Sequence, residues 1–165
     1  MSGAVKKAEE IVNNEIKLGN ISSKDNVIVI GSGSIPSTPL LLYKKSKATI
    51  VGLDIDGRAV EKSKEFIKKY HLEKHIYIRK EDGLSFPIKD FDVIFLLFGV
   101  IKQKQILLRL SNEIKKDTRI IYRCPTDTDD RIDKERIDVS SIFSVQGNIT
   151  SNSLGKVDSY LLKKK

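Results

Sequence analysis

A chain of 165 residues, 39% hydrophobic and 32% charged, is long enough to bury one core and reads as a single soluble globular domain. Its longest apolar run, Val93 to Ile101 with Gly99 inside it, is too short to cross a bilayer, and the single cysteine, Cys124, excludes an internal disulfide framework. The net charge of +8 raises nucleic acid as a partner, but the excess is lysine dispersed in short runs such as Lys68-Lys69 and Lys163-Lys164-Lys165, so a small molecule is the expected substrate and nucleic acid the second candidate.

In chain order, a helix is expected over Ala4–Leu18, closed by Gly19 as a glycine cap, and residues 1–23 form a helical segment ahead of a Rossmann-like unit at 24–165. Mixed Lys, Glu and Asn in that helix do not resemble a secretion signal, and with one thiol the expected compartment is the cytoplasm. Val27–Ile30 is a fully apolar run of the kind buried on both faces of a parallel sheet. It ends in Gly31-Ser32-Gly33-Ser34-Ile35-Pro36, where bare Cα atoms allow a tight turn and close approach of a ligand to the backbone. Thr38 is expected to cap a helix over Pro39–Lys45. Thr49–Leu53 is the second strand, ending in Asp54, where a carboxylate accepts hydrogen bonds from ribose hydroxyls. Asp56 caps a helix over Arg58–Tyr70 with Val60, Ser63, Ile67 and Tyr70 at helical spacing.

The third strand is Ile76–Arg79, followed by Glu81-Asp82-Gly83. The fourth is Phe91–Leu97, then a helix over Ile101–Ile114, then a fifth strand at Arg119–Tyr122. This alternation predicts a parallel sheet covered by helices. Ser140–Gln146 and Val157–Lys163 break it, with no helical run between them, and predict an antiparallel pair added at one edge. The expected fold is α/β, doubly wound, with a mostly parallel seven-stranded sheet in one domain.

The glycine turn, Asp54, Asp82-Gly83 and the terminal strand pair together resemble the S-adenosylmethionine-dependent methyltransferase superfamily. The wording of Ile30-Gly31-Ser32-Gly33-Ser34-Ile35-Pro36, of Asp54-Ile55-Asp56 and of Val157-Asp158-Ser159-Tyr160-Leu161-Leu162 is similar to the nicotianamine synthase-like branch of that fold. The resemblance implies S-adenosylmethionine as cofactor and cofactor contacts at Gly31, Ser32, Gly33, Asp54, Ile55, Asp82, Gly83 and Phe98; His71, His75 and Cys124 stand in different places, so no metal site is expected. It implies methyl transfer to a small molecule or another substrate. The alternatives are aminocarboxypropyl transfer, the chemistry of the nicotianamine synthase-like branch, a non-catalytic cofactor-binding partner subunit, and RNA methylation. That branch carries an N-terminal helical domain that helps enclose the substrate. Only a short segment precedes the first strand here, so a homodimer or partner subunit covering the cofactor is expected. Two positions depart from the superfamily pattern: Val29 stands where an acid is usual and Ile35 where a third glycine is usual.

No catalytic residue is assigned, because transfer from a sulfonium rests mainly on proximity and orientation. Cys124 reads as an inert thiol, and His71 and His75 as surface or capping residues. The charged segment 127–138 reads as a solvated loop at the substrate end of the fifth strand.

Overall fold

The structure, a computed structural model, describes residues 3–97, 99–125, 137–153 and 155–165. Its strands are β1 (Asn26–Ile30), β2 (Thr49–Asp54), β3 (Ile76–Lys80), β4 (Val93–Leu96), β5 (Arg119–Pro125), β6 (Phe143–Ser151) and β7 (Val157–Lys164). The helices are α1 (Gly3–Gly19), α2 (Ser37–Ser46), α3 (Gly57–Lys69), α4 (Gln103–Glu113) and the single turn α5 (Val139–Ile142).

The strands form one sheet in the order β3-β2-β1-β4-β5-β7-β6. β1 to β5 are parallel, and β7 runs antiparallel to both β5 and β6. Central β1 and β4 lack polar alternation because both of their faces are covered: Val27 to Ile30 and Val93 to Leu96 are all buried. On one face, Val29, Phe95 and Ile121 pack against α1, α2 and α3 through Val5, Val12, Leu41 and Ile67. On the other, Ile28, Ile94 and Ile120 pack against Ile106, Leu107 and Leu110 of α4. This is the expected doubly wound arrangement.

Local details differ from the sequence expectations for identifiable reasons. Asn20, not Gly19, takes the left-handed position after α1 (φ 49°). The Asn20 N–H donates to the Lys17 carbonyl and the Ile21 N–H to the Ile16 carbonyl at 3.0 Å, which closes the helix end. Gly19 serves packing, since a Cβ there would stand 3.2 Å from the Ile121 Cδ1. Thr38 is not the cap of α2, which starts at Ser37; Thr38 is buried, and its hydroxyl accepts a bond from Arg123. β4 is shorter than expected, β5 is longer, and α4 starts at Gln103. The expected strand from Ser140 begins instead with α5, because the Asp138 carboxylate accepts the Ser140 N–H and caps a helical turn. β6 then starts at Phe143 and carries an irregularity between Val145 and Gly147. Among the described residues no helix is long and apolar enough to cross a membrane.

One buried ion pair ties these layers together. Glu15 of α1 is fully buried and Arg123 of β5 is 6% exposed. Arg123 donates through Nε (3.0 Å) and Nη2 (2.5 Å) to the two Glu15 oxygens. The Ser159 hydroxyl of β7 donates to Glu15 at 2.9 Å, and Arg123 Nη1 reaches Thr38 of α2. Removing one partner leaves an uncompensated buried charge, so Glu15→Ala is expected to cost about 3–5 kcal/mol in urea unfolding. The double variant Glu15→Leu/Arg123→Met, which removes both charges, is expected to recover a large part of that loss. A single variant within about 1 kcal/mol of the parent would show that the pair does not hold α1 to the sheet.

Candidate functional site

Ile30 pairs with Leu53 of β2 and Leu96 of β4, so three strands end level with one another where the chain order reverses. In open α/β sheets a crevice forms at that switch point. Here it is a cleft of about 440 Å³, lined by Gly31 and Gly33 after β1, Asp54 to Asp56 after β2, Glu81 to Gly83 after β3, and Gly99 to Lys102 after β4.

The glycine turn is built by left-handed backbone. Gly31 has φ 88° and Gly33 φ 75°, values that favour glycine. At Gly31 a Cβ would also fall 2.5 Å from the Val100 Cγ2, so the opposite wall rests directly on this Cα. At Gly33 a Cβ would meet nothing within 4 Å, and the bare Cα faces open cleft. The Gly31 and Ser32 N–H groups both donate to the Leu53 carbonyl at 2.9 Å, which joins the turn to the end of β2. Ser32 is buried with its hydroxyl toward the same carbonyl, and it does not line the cleft.

Asp54 organises the floor. Its Oδ2 accepts the Gly33 N–H and its Oδ1 accepts the Asp56 N–H, both at 2.9 Å. One carboxylate therefore fixes the loops after β1 and β2, and it keeps lone pairs for a ligand. Ile55 stands 59% exposed on the rim. Asp82 is exposed, with Oδ1 accepting the Leu84 N–H at 2.9 Å, an Asx-type turn. Gly83 is required by crowding, since a Cβ would sit 2.8 Å from Ile30 Cγ2. Phe98 lies outside the described residues.

Two residues of α4 that the sequence reading passed over hold the walls. Arg109 donates from Nη1 to the Gly83 carbonyl and from Nη2 to the Phe86 carbonyl, each at 2.7 Å, and pairs with Glu113. It clamps the turn that carries Asp82. Gln103 bridges the Leu97 carbonyl and the Tyr122 phenol. The available signal for Gln103 was its position at the head of the apolar stripe Ile106-Leu107-Leu110; nothing in sequence pattern points to Arg109.

No protein-family profile matches the chain. Over 110 residues it is 26% identical to L-histidine 2-aminobutanoyltransferase of Yersinia pestis, covering 66% of this chain and 41% of that protein. Its structure superposes with TM-score 0.82 and 20% identity on a mutant of MtNAS in complex with S-adenosylmethionine, covering 97% of this chain and 63% of that one. It also superposes with TM-score 0.70 and 14% identity on an RNA methyltransferase from Salinibacter ruber in complex with S-adenosyl-L-homocysteine, covering 94% and 91%. The chain thus spans under half the length of the curated relative and under two thirds of MtNAS.

The fold is the class I methyltransferase fold.

Val29 is buried in the sheet beside Gly52 and Phe95, and Ile35 is 46% exposed. His71 takes the left-handed position after α3 (φ 55°), while His75 stacks on Tyr43 at 4.6 Å, so the two histidines serve a helix end and a ring contact. Cys124 is half-buried beside Tyr122 and Tyr160. Of the segment 127–138, residues 127–136 lie outside the described residues, and Asp138 caps α5.

Arg109→Ala strips two carbonyls of a charged donor, and a loss of about 2–3 kcal/mol is expected in chemical unfolding. Arg109→Lys is expected to restore only part of it, since a point charge lacks the fork geometry. Full rescue by lysine would show that charge alone, and not the two-carbonyl clamp, was at work.

Burial, then the neighbouring Cys124 and Tyr160, push the Tyr122 phenol up to about 12. The folded state thus favours neutral phenol. Its contribution is full below the unfolded value of about 10 and is lost as pH rises toward the folded value. The parent is expected to lose stability between those limits more steeply than Tyr122→Phe, as read by unfolding at stepped pH, with a larger late phenolate absorbance in the parent than in the variant, where Tyr160, also raised by burial, still titrates late.

Proposed function

We propose that the cleft binds S-adenosylmethionine and that the chain is a transferase acting on a small molecule. The observation that carries this reading is Asp54. It lies at the end of β2, bonded to the Gly33 turn and to Asp56, with free lone pairs directed at a bare-backbone crevice. The residues fit the group: a 440 Å³ cleft suits an adenosine-sized ligand, and the unhindered face of Gly33 admits one against the main chain.

In this reading Asp54 accepts the ribose hydroxyls. Asp82 offers its second carboxylate oxygen to the adenine amine while Leu84 occupies the first. Gly31 and Gly33 bring backbone close to the methionine portion, and Ile55 with Val100 supplies apolar walls. Ser32 and Gly83 act from beneath, by joining the turn to Leu53 and by admitting Ile30. Phe98 remains a cofactor contact proposed from the sequence alone. When bound, S-adenosylmethionine supplies a carbon made electrophilic by its sulfonium, and the bond to sulfur breaks as a nucleophile on the substrate attacks. The chain's own contribution is to orient that carbon and exclude water. Methyl is the group transferred in the first reading. The aminocarboxypropyl arm is the second reading, favoured by the sequence likeness to an L-histidine 2-aminobutanoyltransferase. The working protein is cytoplasmic, and a second copy or a partner subunit covers the cleft mouth.

Calorimetry with S-adenosylmethionine, S-adenosylhomocysteine, methylthioadenosine and NAD tests the assignment. S-adenosyl compounds are expected to bind and to raise the melting temperature by mass action. Asp54→Asn keeps one backbone acceptor and is expected to weaken binding by about 1.5–3 kcal/mol, a charged-acceptor magnitude. Binding of NAD with none of the S-adenosyl compounds would overturn the reading. Release of S-adenosylhomocysteine or of methylthioadenosine during turnover then decides between the two arms.

A further inference from the structure

Gln103 opens α4 and uses both ends of its carboxamide. Nε2 donates to the Leu97 carbonyl at 2.9 Å, and Oε1 accepts the Tyr122 phenol at 3.2 Å. The orientation is fixed by chemistry: a carbonyl only accepts, so the amine end must face Leu97 and leave the oxygen for the phenol. The Leu97 carbonyl also accepts the Val100 N–H at 3.4 Å, a long bond that by itself holds the turn loosely. Between Leu97 and Gln103 lie Val100, Ile101 and Lys102, which make one wall of the cleft. Val100 is the residue that stands against the Gly31 Cα. A shift of this turn would therefore move the wall directly over the glycine loop.

We propose that Gln103 is a positioning residue for the cleft: held by Tyr122, it locks the turn after β4 and so sets the distance between Val100 and the Gly31 turn. Its importance for ligand binding rests on the cofactor reading above. Its action on the turn does not. Tyr122 acts one step further back, by keeping the amide from turning over.

The test uses the full chain with Gln103→Met, which keeps the length and removes both bonds, Tyr122→Phe, and the double variant. Two readouts separate the claims. In ligand-free protein, hydrogen exchange at the Val100 amide is expected to speed at least tenfold in Gln103→Met, while strand amides of β1 and β4 and the melting temperature stay close to the parent. In calorimetry, S-adenosylhomocysteine is expected to bind at least tenfold more weakly to Gln103→Met than to the parent, and more weakly by a smaller factor to Tyr122→Phe. The double variant is expected to match Gln103→Met, because the phenol acts only through the amide. Unchanged Val100 exchange, or exchange accelerated everywhere in proportion to lost stability, overturns the positioning role. Faster Val100 exchange with unaltered affinity overturns its use in binding. If the parent itself binds no S-adenosyl compound, the cofactor reading falls, and the exchange experiment still judges the turn.

Discussion

The sheet is held in register with its first helix by a carboxylate that never reaches water. Glu15 joins α1 to β5 through Arg123 and to β7 through Ser159, and Arg123 extends the contact to Thr38 in α2. Such a pair gains little over an apolar filling of the same volume, because both ions lose their hydration. What it adds is discrimination. β7 enters between β5 and β6 against the parallel direction, and Ser159 pairs with Arg123 across that boundary. A slipped register would bury a charge without its partner. The antiparallel insertion that distinguishes this sheet from an ordinary doubly wound one therefore coincides with the most demanding electrostatic contact in the core.

The same device recurs in a wetter setting. Asp54 accepts two main-chain N–H groups, Asp82 accepts one, and Asp56 and Asp138 cap α3 and α5. Each carboxylate satisfies donors that a turn or helix start leaves without an internal partner. Asp54 differs from the others in joining two loops that come from different strands. A ligand meeting it meets an acceptor already fixed in place, so little ordering remains to be done on binding.

What the sequence made legible follows the range of each interaction. Val27–Ile30 and Val93–Leu96 lie between covered faces, and uninterrupted apolar runs announce that. Gly31 and Gly33 announce left-handed backbone because no other residue adopts it so easily. Asp56 announces a cap because its partner is two residues away. Asn20 and His71 carry positive φ, which Asn and His adopt more readily than most residues, but Gly19 beside Asn20 is the stronger local signal, so the expected end of α1 falls one residue early. Thr38 looked like a cap by composition, but Arg123, 85 residues away, claims its hydroxyl. The roles of Arg109 and Gln103 stay out of sight for the same reason, since their partners in the loop after β3, after β4 and in β5 come beside α4 only in the folded sheet; Gln103 carries no more than a positional hint, at the head of the apolar stripe. The short-range chemistry of the site was readable, and its support was not.

Charge gives the last constraint. The chain as a whole carries +8, yet among the described residues the cleft is lined by four carboxylates, Asp54, Asp56, Glu81 and Asp82, against the single ammonium of Lys102. The positive excess therefore sits elsewhere on the surface. A polyanion drawn to the molecule by its net charge would meet like charge at the crevice, where low-dielectric walls strengthen the repulsion. An RNA substrate would need its reacting base to enter that mouth with phosphates close behind. A small ligand has no such difficulty: Asp54 and Asp82 hold carboxylate oxygens that could accept from hydroxyl or amino groups, and a positive centre in the same molecule would be welcome among the acids. The distribution of charge thus separates what attracts the protein to its surroundings from what its cleft is built to hold, and it favours the small-molecule reading over the nucleic-acid one.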